Sequence, residues 1–136
     1  MTVSESLIKW LKEFNTDKRR IKKINTGIQP AAVEDFAVVK EPTVNTKKDI
    51  FGDEEVTAHY TIMARLPSNT NPDRIDNEAF GEAMETWILE KNHLKEYPVI
   101  DGYKVTNVEV TTPFYAGKTE TNNSVYQMTV ALKYER

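Results

Sequence analysis

The sequence predicts an α+β fold in which two helices pack on a largely antiparallel β-sheet, within a single domain spanning residues 1–136. Two segments carry apolar residues at helical spacing, and several others alternate apolar and polar residues as half-buried strands do. Strands stand on both sides of the longer helix, which favours α+β over alternating β-α units. With 136 residues, 39% of them hydrophobic, the chain is long enough to bury a core of its own.

The first predicted element is a helix over residues 3–14. Its apolar residues recur at helical spacing, at Val3, Leu7, Ile8, Leu11 and Phe14. Thr2 and Glu5 fit a capping box, because a hydroxyl at the cap and a carboxylate three residues later satisfy two free backbone N–H groups. The helix is short, so we expect its stability to come from packing this stripe on the sheet.

Two weak strands are predicted after this helix. The first contains three isoleucines, at Ile21, Ile24 and Ile28. The second is the short apolar run 36–39, which ends by Pro42. The polar residues 43–55 follow, and we interpret them as a long hairpin or arm with Gly52 in its turn.

Two large apolar residues, Ile50 and Phe51, stand among charges in this arm. Either they tuck into the subunit's own core or they dock on a neighbouring subunit, since an exposed apolar patch usually has a partner. Ordering the arm costs roughly 1–2 kcal/mol per residue in backbone entropy, whereas burying two large side chains recovers roughly 3–6 kcal/mol. We therefore expect the 43–55 arm to be mobile in an isolated subunit and ordered against a neighbour, with added strand pairing.

A strong strand signal covers residues 56–66. Its even-numbered residues are apolar or aromatic: Val56, Ala58, Tyr60, Ile62, Ala64 and Leu66. Its odd-numbered residues are more polar and include His59. This alternation predicts one face on the core and the other on solvent or a partner.

The second helix is predicted over residues 72–92, with Asn71 as its cap and Pro72 at its first position. Its apolar stripe consists of Ile75, Ala79, Phe80, Ala83, Met84, Trp87 and Ile88. Because Trp87 falls on this stripe, we expect it to pack in the core beneath the helix. Acidic residues outnumber basic ones along the segment, so its outer face is expected to be acidic.

The chain is predicted to finish with a hairpin of two strands, over residues 103–114 and 125–134. In the first strand the parity of the apolar residues changes, which predicts a bulge near Asn107. Pro113 indicates a sheet edge or the end of the strand. The second strand alternates cleanly, with Tyr126, Met128, Val130, Leu132 and Tyr134 on one parity.

The composition argues against several kinds of chemistry. There is no cysteine, which removes disulfides, thiolate metal sites and cysteine nucleophiles. The sequence contains no nucleophile elbow and no phosphate-binding loop. The two histidines, His59 and His93, lack the spacing of a metal site. We therefore predict no catalytic residues, no metal and no cofactor. No apolar run reaches membrane-spanning length and no secretory signal is visible, so we expect a soluble protein made inside the cell.

The charges are unevenly distributed. The formal net charge is −3, yet one short basic strip contains Lys18, Arg19, Arg20, Lys22 and Lys23. The strip is either a solvated connector or a contact for phosphate or an acidic partner. An acidic remainder with one basic strip is not typical of a DNA reader, so sequence-specific nucleic-acid binding is not expected.

Several segments together resemble a known family. They are Leu7-Ile8-Lys9-Trp10-Leu11, Asp49-Ile50-Phe51-Gly52 leading into the 56–66 strand, Glu85-Thr86-Trp87-Ile88 within the second helix, Val105-Thr106-Asn107-Val108-Glu109-Val110, and Tyr126-Gln127-Met128-Thr129-Val130-Ala131-Leu132. The layout resembles the small minor capsid proteins of tailed phages of Gram-positive bacteria, which are related to tail terminators. The resemblance implies helices packed on a β-sheet and no catalytic residues.

The same resemblance implies a structural virion protein assembled in the host cytoplasm. It would form a homo-oligomeric ring that caps the tail tube and docks to the head connector, with tail-tube and head-completion proteins as partners. The family suggests a hexamer, whereas the sequence itself does not give the ring size. The basic strip, Ile50 and Phe51 are the candidate interface residues. Two alternatives stay open: a small ligand-binding domain or enzyme with a pocket between helix and sheet, and a nucleic-acid module that uses the basic strip.

Overall fold

The computed structural model describes residues 2–14, 24–26, 35–48, 50–119 and 122–136. Its elements, in chain order, are α1 (Val3–Leu11), β1 (Ile24–Thr26), β2 (Phe36–Lys48), β3 (Glu54–Pro67), α2 (Asn71–His93), β4 (Lys104–Thr119) and β5 (Asn123–Glu135). Two helices and a five-stranded, largely antiparallel sheet confirm the α+β prediction.

The sheet has the strand order β1-β2-β3-β5-β4. β1 runs parallel to β2, and every other neighbouring pair is antiparallel. β4 and β5 form the predicted final hairpin. β3 lies at the centre, where it pairs with β2 on one side and along its whole length with β5 on the other.

Both helices lie on one face of the sheet, α1 over β1 and β2, and α2 mainly over β4. The even-numbered residues within 56–66 of β3 and 126–134 of β5 face the helices and are buried, as their alternation predicts. Aromatic rings join the two helices, since the ring centroids of Trp10 and Trp87 are 4.7 Å apart and those of Phe14 and Phe80 are 5.5 Å apart. Trp87 itself is half-buried at the edge of this core.

The start of α1 agrees with the prediction, and its end differs. The Thr2 hydroxyl accepts a hydrogen bond from the backbone N–H of Glu5 at 3.1 Å. The Glu5 carboxylate accepts from the Thr2 hydroxyl at 3.3 Å instead of from a backbone N–H, so half of the predicted capping box forms. The helix ends at Leu11, before Phe14, yet Phe14 is buried in the core.

The cap of α2 is Thr70, one residue before the predicted Asn71. The Thr70 hydroxyl accepts from the backbone N–H of Asp73 at 3.2 Å, and the Asp73 carboxylate accepts from the backbone N–H of Thr70 at 3.4 Å. This reciprocal capping box satisfies the backbone N–H groups of Thr70 and Asp73.

The buried face of α2 is rotated from the predicted stripe. Phe80, Met84 and Ile88 are buried as expected, but the buried set also contains Asn77 and Gly81. Ile75 is two positions, or about 200° of helix rotation, away from Asn77, and its side chain is 57% exposed. Ile75 therefore belongs to the solvent face, and Ala79 is exposed as well, which corrects the assignment of both residues to the stripe.

Two strands are longer than predicted. β2 continues past Pro42 to Lys48, with a register shift between Lys40 and Val44. Because proline has no N–H to donate, a local irregularity lets the strand continue around it. β4 extends to Thr119 and contains four register shifts, the first between Val105 and Asn107, which confirms the predicted bulge.

Candidate functional site

The segment interpreted as an arm is the end of a paired hairpin. β2 and β3 pair in register from Val44↔Ala58 to Lys48↔Glu54. The chain reverses at Gly52, whose φ of 87° is a conformation that glycine adopts easily. The hairpin reading is therefore correct, while the expected mobility of residues 43–55 in an isolated subunit stays a prediction.

Ile50 and Phe51, which we call the hairpin tip, lie at the end of this hairpin. Their side chains are 93% and 83% exposed. Neither side chain is therefore buried in the subunit's own core, and docking on a neighbouring subunit stays a prediction. Large apolar side chains at such exposure are typical of a surface that meets a partner.

The base of the hairpin is held by the end of β5. Backbone hydrogen bonds join Glu54 and Arg136 in both directions, at 3.3 Å and 3.0 Å. The Glu54 carboxylate also accepts from Arg136 Nε at 2.7 Å and lies 3.6 Å from Lys48 Nζ. The Arg136 hydrogen bond holds the pKa of the Glu54 carboxyl below its ordinary value. These contacts anchor the stem from which the tip projects.

The other predicted interface residues lie outside the described residues. They are the basic strip of Lys18, Arg19, Arg20, Lys22 and Lys23. Their proposed contact with an acidic surface therefore stays a prediction.

A small groove lies on the opposite edge of the sheet from β2, between α2 and β4. We call it the α2–β4 groove; it has a volume of about 300 Å³ and is lined by Ile88, Leu89, Asn92, Val108, Glu109 and Val110. Leu89 is 69% exposed at its rim. The sequence does not predict this groove, because its lining residues come from two elements that only the fold brings together.

Side chains of α2 bind backbone amides of β4 beside this groove. Asn92 Oδ1 accepts from the N–H of Val108 at 3.0 Å. Glu85 Oε1 accepts from the N–H of Phe114 at 2.7 Å. Two amides of an edge strand thus have partners within the subunit, although no strand lies beyond β4 in the described sheet.

A larger groove lies between α1 and the loop that follows α2. It has a volume of about 550 Å³, and its lining mixes charged and apolar residues: Ser6, Lys9, Trp10, Glu13, Lys91, Glu96, Tyr97, Pro98, Val99 and Asp101. Trp10 Nε1 donates to the Glu96 carbonyl at 2.8 Å, and Lys91 Nζ lies 2.7 Å from the Glu96 carboxylate. The Glu96 hydrogen bond raises the pKa of Lys91, so the amine is held charged. A charged, paired lysine is a poor general base.

The two histidines lie on different elements. His59 is half-buried on the face of β3 that turns away from the helices, and His93 is the last residue of α2. Among the residues that the structure describes, no cluster of three or more His, Asp or Glu side chains is arranged to hold a metal ion. Within the described part of the chain, neither helix is long and apolar enough to cross a membrane.

Comparison with protein-family models gives no match, and comparison with curated proteins gives none either. The resemblance to minor capsid proteins and tail terminators therefore remains carried by the segments quoted above.

Proposed function

We propose that the chain is a structural assembly protein that forms a ring at the head–tail junction of a tailed phage, a prophage or a phage-tail-like particle. The ring caps the tail tube, stops further tube subunits from adding and offers a docking surface to the head connector. Its action is steric and needs no catalytic group. The protein would be part of the virion, with tail-tube and head-completion proteins as its partners.

The observation that carries this proposal is the exposure of Ile50 and Phe51 on an anchored hairpin. A subunit that acted alone would gain nothing from holding two large apolar side chains in water, because their burial is worth roughly 3–6 kcal/mol together. Pairing of β2 with β3 and the Glu54–Arg136 contacts present the tip at a defined position. A partner that covers the tip would recover this free energy.

The distribution of surfaces also favours a ring. A ring needs a head-to-tail interface, in which one patch meets a different patch on the next copy. The hairpin tip lies at the end of β2 and β3, whereas the acidic helix α2 lies mainly over β4, an edge strand of the sheet. One subunit therefore presents two unlike surfaces at different places, as a head-to-tail interface needs.

The test compares the assembly of the wild-type chain with that of an Ile50→Ser/Phe51→Ser double variant. Ile75→Ser is the matched control, because Ile75 is also an exposed isoleucine but lies on α2. Mass photometry and negative-stain electron microscopy would measure oligomer size and shape at rising protein concentration. We expect closed rings for the wild type and the control, and monomers for the double variant at a nearly unchanged melting temperature.

A wild-type chain that stays monomeric at every concentration would refute the proposed function. Unfolding of the monomer by the double substitution would show that Ile50 and Phe51 support the subunit itself, which would also contradict the argument. In cells that produce the particle, loss of the protein should give tails of uncontrolled length.

A further inference from the structure

The sequence contains a single Asp-Gly pair, Asp101-Gly102, and no Asn-Gly pair. The pair lies in the loop between α2 and β4, where both residues are exposed. The Tyr103 N–H donates to the Ile100 carbonyl at 3.2 Å, so Asp101 and Gly102 are the two central residues of a β-turn. Gly102 has a φ of 80°, which is the conformation of glycine at the second central position of a type II turn.

An aspartate that is followed by glycine can react with its own backbone. The amide nitrogen of Gly102 attacks Cγ of Asp101, a C–N bond forms, and the amide proton leaves with the hydroxyl of the carboxyl group as water. The product is a five-membered succinimide ring. Water then opens the ring by breaking the bond between the nitrogen and the original backbone carbonyl carbon, so the chain continues through Cγ as isoaspartate. The water that is lost is regained, and the net change is an isomerisation that needs no oxidant, reductant or cofactor.

The turn leaves the attacking nitrogen accessible. Gly102 has no Cβ to shield its nitrogen, and glycine changes its backbone conformation at little steric cost. The hydrogen bond of the turn uses the N–H of Tyr103, and no other described residue binds the N–H of Gly102. In the described part of the chain, no atom beyond its chain neighbours lies within 4 Å of the place that a Gly102 Cβ would take. The turn therefore has room to rearrange toward ring closure.

Two other aspartates show the contrast. Asp53 is exposed beside a glycine too, but the glycine precedes it and Glu54 follows. The Glu54 N–H donates to the Arg136 carbonyl at 3.3 Å, so the nitrogen next to Asp53 is engaged. Asp73 lies in the first turn of α2, and the N–H of the next residue, Arg74, donates to the Thr70 carbonyl at 3.2 Å. Neither aspartate has a free nitrogen without a neighbouring side chain.

We propose that Asp101 is a site of spontaneous backbone isomerisation, at which aspartate converts to isoaspartate as the folded protein ages. The isomer adds a carbon atom to the backbone between Ile100, which is buried, and Tyr103, whose ring stacks on Tyr134 with centroids 5.2 Å apart. One of these contacts must shift to accommodate it. Asp101 also lines the larger groove between α1 and this loop, so the reaction alters the rim of that groove. This inference does not depend on the proposed ring.

The free carboxylate of isoaspartate makes the site detectable. It is the chemical group that isoaspartyl carboxyl methyltransferases methylate with S-adenosylmethionine, whereas an ordinary aspartate is not a substrate. The test ages the purified full chain for several weeks at neutral pH and physiological temperature. A purified methyltransferase and radiolabelled S-adenosylmethionine then measure isoaspartate, and peptide mapping with electron-transfer fragmentation locates it. We expect steady accumulation in the peptide that contains Asp101 and a background signal in the peptide that contains Asp53.

Two variants check the mechanism without changing the exposure of the turn. Asp101→Glu keeps the carboxylate but would need a six-membered ring, so we expect loss of the signal to background. Asp101→Asn should react faster than the wild type, because an amide loses ammonia to the attacking nitrogen more readily than a carboxylate loses water. Circular dichroism of both variants before ageing confirms that they are folded.

Three results would overturn the proposal. The first is an Asp101 peptide whose isoaspartate content stays at the level of the Asp53 peptide. The second is a methylation signal that persists in Asp101→Glu, which would place the reactive residue elsewhere. The third is accumulation at Asp101 in urea but not in the folded chain, which would show that the turn protects the pair.

Discussion

Gly81→Ala has two opposite effects on the free energy of unfolding: a gain in helix propensity and a loss from overlap with Phe114. In an exposed helix interior this substitution stabilises by about 1 kcal/mol, because alanine loses less backbone entropy on folding. At Gly81, however, α2 packs against the side chain of Phe114. An added Cβ would stand 2.6 Å from Phe114 Cγ and 2.8 Å from Phe114 Cβ, which is closer than carbon atoms can approach.

Rotation of the Phe114 ring cannot relieve this overlap, because Phe114 Cβ is fixed to the backbone. The ring also stacks on Tyr126 with centroids 5.2 Å apart, and the Phe114 N–H is bound by Glu85. Relief therefore requires a shift of α2 away from β4. Overpacking of this kind lowers the free energy of unfolding by about 1–3 kcal/mol or more. Because the Phe114 ring cannot turn away, we expect the cost of Gly81→Ala to lie near the top of this range. After the propensity gain, we expect a net loss of about 2 kcal/mol.

The assay is thermal and urea unfolding of the purified chain. A loss of about 2 kcal/mol corresponds to a melting temperature lower by roughly 7 °C for a domain of this length. Ala79→Gly, at an exposed position of the same helix, measures the propensity term alone and should cost about 1 kcal/mol. A Phe114→Ala background removes the ring contacts but keeps the 2.8 Å contact with Cβ, so the cost of Gly81→Ala should be smaller there than in the wild type. Stabilisation by Gly81→Ala in the wild-type background would refute the close packing of α2 on β4.

Two further predictions follow from the aromatic contacts and from the hairpin base. Trp87→Ala should destabilise the fold by about 3 kcal/mol, the lower end for a large aromatic, because the ring is half-buried against Trp10; a loss below about 1 kcal/mol in urea unfolding would contradict this packing. The Glu54 carboxyl has a pKa below its ordinary 4.5, so its ion pair stabilises at neutral pH, and this contribution disappears as the pH falls through the lowered value. Glu54→Gln should therefore be less stable than the wild type at neutral pH, with the gap closing in acid and shrinking at high salt. Glu78→Gln on α2 is the control, and a gap that persists in acid would show that charge is not its cause.

Strand faces were predictable from the sequence because the side-chain period of a strand is two residues. Once Val56–Leu66 and Tyr126–Tyr134 were recognised as alternating, their buried faces followed. The length of β2 was not predictable in the same way. Its last residues, Val44–Lys48, are exposed on both faces, so they carry no alternation, and only pairing with β3 shows that they form a strand.

The buried face of α2 was only partly predictable, because two of its buried residues do not belong to the pattern of apolar side chains. Asn77 is buried through its side chain, which donates to the Pro67 carbonyl at 2.8 Å. Gly81 is buried because its lack of a side chain admits Phe114. Neither reason is visible in a hydrophobicity pattern, and both arise from contacts with other elements.

The two parts of the candidate site, the hairpin tip and the α2–β4 groove, also differ in how far the sequence predicts them. The sequence indicates the hairpin tip by two adjacent apolar residues in a charged segment. Both residues belong to one segment, so the fold is not needed to bring them together. The α2–β4 groove is lined by Leu89 of α2 and Val110 of β4. No spacing in the sequence predicts that these two residues lie close together. A partner surface made of one segment is thus easier to read than one assembled from several.

The central place of β3 has a consequence for how the chain is made. Its pairing with β2 is local and can form early. Its pairing with β5 joins residues far apart in sequence, so it forms only after β5 has been synthesised. Non-local pairing of this kind folds slowly. During synthesis, the unpaired backbone N–H and C=O groups along one edge of β3 are therefore open until β5 emerges from the ribosome. Chains truncated before β5 would expose that edge and aggregate, even though the complete fold protects it.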